Sequence, residues 1–131
     1  MPADEPAAKP FAYALLRVVP RAERGERLNA GIVLYSRQHD FLDMRTHLDG
    51  ARLAALDPGL DPAPIRERLD ALRSVVCGEP EGGALAALEA SERFGWIVAP
   101  ASTILQPSEV HTGLTCDPAA TLERLFATLV T

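Results

Sequence analysis

Two apolar segments joined by a short charged loop near the N-terminus constrain the fold more than any other part of the chain. The first, FAYALLRVV at 11–19, is apolar at both alternating sets of positions, which is typical of a strand covered on both faces. Gly25 permits a tight connection in the loop at 21–27. The second segment, LNAGIVLYS at 28–36, therefore predicts an antiparallel hairpin with the first. Gly31 within it indicates a bulge or a close backbone approach.

Each strand of this hairpin carries one polar residue where burial is expected. Arg17 alternates with Leu15 and Val19, and a guanidinium on an apolar face needs a partner or a route to the edge. We expect Glu26 and Asn29 to hold Arg17 in a polar network that fixes the hairpin register. Glu23 and Asp117 are alternative acidic partners. The alternative is that these side chains line a pocket in which Arg17 meets an anionic ligand.

Three arginines, Arg21, Arg24 and Arg27, crowd the loop of the hairpin. Acidic residues alternate with them, which favours a solvated charged turn. A small anion-recognition patch is the alternative interpretation of the same three cations.

The rest of the chain predicts a third strand, four helices and further short strands. Asp49, Asp61 with Pro62, and Asp117 with Pro118 are helix start signals. We predict helices at 50–56, 62–77, 84–91 and 118–130, and strands at 41–48, 94–99, 103–106 and 110–114.

These elements predict an α+β fold. We expect a mainly antiparallel sheet of four to five strands, with the meander at 11–48 at its heart and two to four helices packed on it. The polar segment at 1–10 is rich in Pro and Ala and has no apolar core, so it predicts a disordered leader and not a secretory signal. Residues 11–131 are then one domain.

Composition argues against several classes of function, although it leaves a local basic patch for nucleic-acid binding open. The net charge of −5 argues against a general nucleic-acid binder, which would need a basic face. No apolar run has the length of a membrane span. Cys77 and Cys116 lack the spacing of a zinc site or a disulfide framework, so we expect two reduced thiols in a cytoplasmic protein. The sequence is compatible with a homodimer.

No catalytic or metal-binding signature stands out in the sequence. His39, His47 and His111 are scattered, and no spacing of ligands suggests a metal. Ser108, Glu109 and His111 are close in sequence, but catalytic triads assemble from separated segments. We therefore assign no catalytic residue, metal or cofactor.

The hairpin carries a motif that extends across the chain. It reads Y-x-x-x-R-x-x-P, then a Gly-Glu pair, then N-x-G-I-V-L. With this motif the chain resembles the bacterial DUF3037 family of small proteins of unknown function, over residues 11–131. The matching positions are Tyr13, Arg17, Pro20, Gly25, Glu26, Asn29, Gly31, Val33 and Leu34, and later Gln106, Ser108, Thr112, Gly113, Leu114, Asp117 and Pro118.

The resemblance implies a partner and directs attention to five polar residues. Members of the family are often encoded beside a HipA-like kinase gene, which implies a partner in a toxin–antitoxin-like or regulatory pair. The polar positions come from both ends of the chain, and we expect them to converge as a structural or ligand-binding cluster. They are Arg17, Glu26, Asn29, Gln106 and Ser108.

Two functions from different classes follow from this reading. We favour a non-enzymatic accessory protein that binds another bacterial protein through the charged hairpin loop or an adjoining groove. The alternative is a small hydrolase that acts on a phosphate-bearing or nucleotide substrate, with Arg17 as the anion contact and Glu26 or His111 as the base.

Overall fold

The first strand is the centre of the sheet, and the other strands are arranged on either side of it. The computed structural model describes residues 7–101 and 103–131. In these residues the sheet has five antiparallel strands: β1 (Lys9–Val18), β2 (Leu28–Ser36), β3 (Phe41–Thr46), β4 (Leu105–Pro107) and β5 (His111–Thr115). β2 lies between β1 and β3, which confirms the predicted meander. β4 and β5 follow one another along the other side of β1. The α+β prediction is therefore confirmed.

Helices cover both faces of this sheet. The described residues contain five α-helices, one more than the predicted upper limit: α1 (Gly50–Leu56), α2 (Pro62–Val76), α3 (Gly83–Ala86), α4 (Ala90–Val98) and α5 (Pro118–Leu129). Leu53, Leu69 and Ile97 bring α1, α2 and α4 into the larger core on one face. Leu122 of α5 packs with Ile32 on the opposite face. The sheet is the middle layer of the fold.

The predicted helix starts are confirmed by their caps. The Asp49 carboxylate accepts hydrogen bonds from two backbone N–H groups of the first turn of α1. Asp61 accepts from Ala63 N–H at the start of α2, and Asp117 accepts from Ala120 N–H at the start of α5. Each of these carboxylates satisfies a donor that the helix itself leaves unpaired.

The strand predicted at 94–99 is wrong, because this segment lies in α4. Phe94 and Ile97, three residues apart, share one helix face and are buried, while Trp96 is 42% exposed. A short apolar run does not distinguish a strand from a helix, and burial of one helical face decided between them here. The helix predicted at 84–91 is also shorter, since α3 ends at Ala86.

A β-bulge in the hairpin places Asn29 on the face that α5 covers. The pairing skips Ala30, so that Arg17 lies opposite Asn29. Gly31 is beside the bulge, and a Cβ there would lie 3.3 Å from the Arg45 carbonyl oxygen. Both expectations for Gly31 are thus met, a bulge at the neighbouring residue and a close backbone approach.

The predicted leader at 1–10 falls only in part on described residues. Residues 1–6 lie outside them. Lys9 and Pro10 form the first two residues of β1, so the central strand begins earlier than the sequence indicates.

Candidate functional site

Three of the five polar residues singled out in the sequence form one row across the sheet. Arg17 of β1 lies opposite Asn29 of β2 on one side and opposite Gln106 of β4 on the other. Directly opposed residues in antiparallel strands point to the same face. The row therefore lies on the face that α5 covers, and it joins residues from both ends of the chain.

Asn29 connects this row to the end of α5. Its side-chain amide Nδ2 donates a hydrogen bond of 2.9 Å to the Leu129 carbonyl oxygen. That carbonyl belongs to the last turn of the helix, where backbone acceptors lack partners within the helix. Asn29 therefore has a structural task, because it satisfies a carbonyl group at the end of α5.

Gln106 and Ser108 stabilise the two ends of β4. The Gln106 side chain donates from Nε2 to the Thr103 carbonyl oxygen at 2.9 Å. Ser108 accepts a 2.8 Å bond from Leu15 N–H on its hydroxyl, and its own N–H donates to the Leu15 carbonyl oxygen at 2.8 Å. The buried serine thus replaces a strand residue in the pairing with β1.

Arg17 is the member of the row without a partner among the described residues. Its Nε is buried and makes no hydrogen bond there, and its guanidinium forms no ion pair with a described carboxylate. The expected contact with Glu26 is wrong, because Glu26 pairs with Arg24 in the loop. A neighbour two residues away needs less ordering of the chain than a contact across the hairpin.

The loop arginines are exposed and only one of them is paired. The hydrogen bond to Arg24 holds the pKa of Glu26 below its usual range, and the same bond raises the pKa of Arg24. Arg21 and Arg27 form no ion pair with any described residue. Two free cations at the end of the hairpin are compatible with the anion patch, which stays a prediction.

The histidines and cysteines form no catalytic or metal cluster in the described part of the chain. His39 Nε2 lies 2.7 Å from the Thr115 carbonyl oxygen, and the His111 ring tilts against Tyr13. The Ser108 hydroxyl donates to the Glu109 backbone carbonyl and not to His111. No group of three His, Cys, Asp or Glu side chains in residues 7–101 and 103–131 is placed to hold a metal.

Cys77 and Cys116 are both free thiols, as expected from their spacing. Burial raises the pKa of the Cys77 thiol, and the nearby Asp43 carboxylate, 3.5 Å from the sulfur, raises it further. A thiol with a raised pKa is a poor nucleophile at neutral pH. Cys77 is therefore not suited to covalent catalysis.

An apolar groove that sequence reasoning missed lies on the other face of the same sheet edge. It runs between α2, α4 and β4, and we name it the α2–β4 groove. It has two adjoining lobes, of about 250 Å³ and about 420 Å³. The smaller lobe is lined by Leu72, Trp96 and Pro100, the larger lobe by Leu60, Ile65 and Ile104, and both lobes by Arg68, Thr103 and Leu105.

The sequence carried no signal strong enough to predict this groove. Arg68 lies on α2 beside the apolar stripe that contains Ile65, Leu69 and Leu72. A cation bordering a stripe that the helix buries is ordinarily solvated and uninformative. An exposed tryptophan on a helix would have been a stronger indication of a binding surface. Because the sequence predicted a strand at 94–99, Trp96 was not recognised as such a residue.

Arg68 differs from two other arginines of the same helix. Arg66 donates to the Leu48 carbonyl oxygen and Arg73 to the Met44 carbonyl oxygen, each at 3.2 Å. The guanidinium of Arg68 makes neither a hydrogen bond nor an ion pair with any described residue, although it contributes to both lobes of the groove. The groove is therefore lined by apolar side chains, by the exposed Arg68 and by the carboxylate of Asp61, and Arg68 forms no ion pair with a described residue.

Comparison with known proteins yields a single match. A family model described as "Protein of unknown function (DUF3037)" matches residues 13–130, nearly the whole chain. No curated protein and no solved structure matches the chain. Separately, none of the helices in the described residues has both the length and the apolar character that a membrane span requires.

Proposed function

This chain belongs to the DUF3037 family, and we propose that it is a non-enzymatic accessory protein that binds another bacterial protein through the α2–β4 groove. The observation that carries the proposal is the groove itself, whose lining combines apolar side chains, a tryptophan that is 42% exposed and an arginine without a partner among the described residues. Tryptophan and arginine are the residues most enriched where binding energy concentrates in protein interfaces.

The exposure of Trp96 supports this proposal. Its side chain is 42% exposed, and it lies on the wall of an open apolar concavity and not alone on a polar surface. Contiguous apolar surface of this kind commonly marks a place where another protein binds. Leu114 is more exposed, at 69%, but it lies on the edge strand β5 and lines neither lobe of the groove.

The hydrogen bonds of three of the five polar residues also support the proposal, because they argue against a catalytic role for these residues. Asn29, Gln106 and Ser108 are each hydrogen-bonded to backbone groups that the fold needs to satisfy. These tasks fit a scaffold for the sheet better than a set of groups poised for chemistry. A HipA-like kinase is the partner that the family resemblance suggests, in the cytoplasm where both thiols stay reduced.

Capture of the partner from the native host tests the proposal. We expect tagged protein to recover one partner in stoichiometric amount, and Trp96→Ala to lose at least about nine-tenths of it, since hot-spot truncations cost about 2 kcal/mol or more. Leu114→Ala is the matched control, because it also removes an exposed apolar side chain but leaves the groove intact. Equal recovery by wild-type protein and Trp96→Ala contradicts the proposal.

A second candidate function, a small hydrolase for a phosphate-bearing or nucleotide substrate, is favoured by one observation. The buried Nε of Arg17 lacks a partner among the described residues, and an anionic substrate would supply one. Glu26 is an unsuitable base, because it is already paired with Arg24. Phosphate release from a panel of nucleotides that is abolished by Arg17→Ala would support this function, and absence of turnover would remove it.

A further inference from the structure

We infer that the α2–β4 groove takes an apolar segment of a partner protein that carries one acidic side chain, and that this carboxylate pairs with Arg68. The inference rests on the proposed function and specifies the chemistry of the partner. It starts from a charge that is placed in a binding surface and that no described residue neutralises.

The position of Arg68 gives the order of contacts along the groove. It contributes to the wall of both lobes, so it lies where they meet. Apolar residues such as Trp96 lie to one side of it and Ile65 and Ile104 to the other. An occupant that fills both lobes therefore presents apolar side chains on either side of a central acidic residue.

The neighbouring arginines show that Arg68 is not merely one more structural cation. Arg73 donates to the Met44 carbonyl within the edge strand β3, and Arg66 donates to the Leu48 carbonyl in the segment after β3, so both have a task in the fold. Arg68 has no such task among the described residues, and a bidentate carboxylate is the ligand that a free guanidinium fits best. Its charge is thus available to a partner.

The other charges of the groove and of the chain confine the attraction for an acid to Arg68. Asp61 also lines the larger lobe, where its carboxylate accepts the Ala63 N–H as the cap of α2 and forms no ion pair with Arg68. The chain has a net charge of −5, so an acidic segment is repelled at long range and must gain its affinity locally at Arg68. Replacing Arg68 by a neutral residue is therefore expected to remove the preference of the groove for segments with an acidic residue.

Selection from a displayed library of short random peptides tests the inference. The bait is the full chain, and peptides are kept if they bind wild-type protein but not Trp96→Ala. We expect these peptides to be apolar with one Asp or Glu, and selection on Arg68→Glu to return Lys or Arg at the same place. Groove-dependent peptides without acidic enrichment would overturn the inference and leave the proposed function standing. Failure to obtain any groove-dependent peptide would count against both.

A titration with the selected peptide then isolates the pairing. Trp96 is the sole tryptophan of the chain and lines the groove, so its fluorescence reports binding directly. We expect roughly tenfold weaker binding when the peptide's acid is replaced by its amide, and a similar loss for Arg68→Gln with the original peptide. The control is Arg124→Gln, which removes the same charge from an exposed position of α5 and is expected to change the affinity for the peptide little. Equal affinity of the acid and amide peptides would overturn the inference.

Discussion

Single residues show how a polar position in an apolar strand is resolved by its neighbours. Asn29 and Ser108 satisfy backbone groups at the end of α5 and at the break between β4 and β5. Arg17, between them in the fold, keeps its charge without a described partner. Its Nε is buried and makes no hydrogen bond with a described residue.

The first prediction concerns the cost of that unpaired cation. Arg17→Met keeps much of the side-chain stem and removes the buried Nε that makes no hydrogen bond, so we expect the free energy of unfolding to rise by about 1 kcal/mol. Chemical denaturation of the two proteins measures the difference. The control is Arg21→Met, a loop change expected to leave stability unaltered. A clear loss of stability in Arg17→Met would mean that the guanidinium is paired and structural.

Sequence reasoning at this scale identified the right residues but not their partners. Arg17, Asn29 and Gln106 could be singled out because polar residues in predicted strands are unusual. The pairing of Glu26 with Arg24 instead of Arg17 depends on the left-handed turn at Gly25, whose φ is 69°. Such a local competition between two arginines for one carboxylate is decided by loop geometry, which residue types alone do not specify.

Secondary structure elements were most predictable where a single side chain determines their start. Asp49, Asp61 and Asp117 each cap a helix whose first residue follows directly. The segment at 94–99 was not predictable in this way, because no capping hydrogen bond marks the start of α4. The spacing of its apolar residues is compatible with both a helix and a strand, and only the packing on the sheet decides between them.

The cap of α2 supports a prediction at the scale of the element, since this helix forms one wall of the groove. Asp61→Ala removes the acceptor for the Ala63 N–H, so we expect the free energy of unfolding to fall by about 1 kcal/mol. Asp70→Ala, an exposed change within the same helix, is the control. Denaturation midpoints compare the two variants, and an equal effect of both would show that the cap contributes nothing.

At the scale of the whole molecule, the polar row and the proposed binding groove lie on opposite faces of the same sheet edge. β4 contributes Gln106 to the polar row on the α5 side and Leu105 to the groove on the other side. The groove could not be foreseen from the sequence, because its walls come from α2, α4 and β4, which are distant in the chain. Only the packing of all three elements on one sheet creates it.

Hydrogen–deuterium exchange of the chain, free and bound to the partner it captures, tests most directly the claim that this groove is the binding surface. We predict slower exchange on binding at 60–72, 96–101 and 103–107, the segments that contain the groove residues, and unchanged exchange in the hairpin loop at 21–27. Slower exchange confined to that loop and to β2, with the groove segments unchanged, would contradict the account.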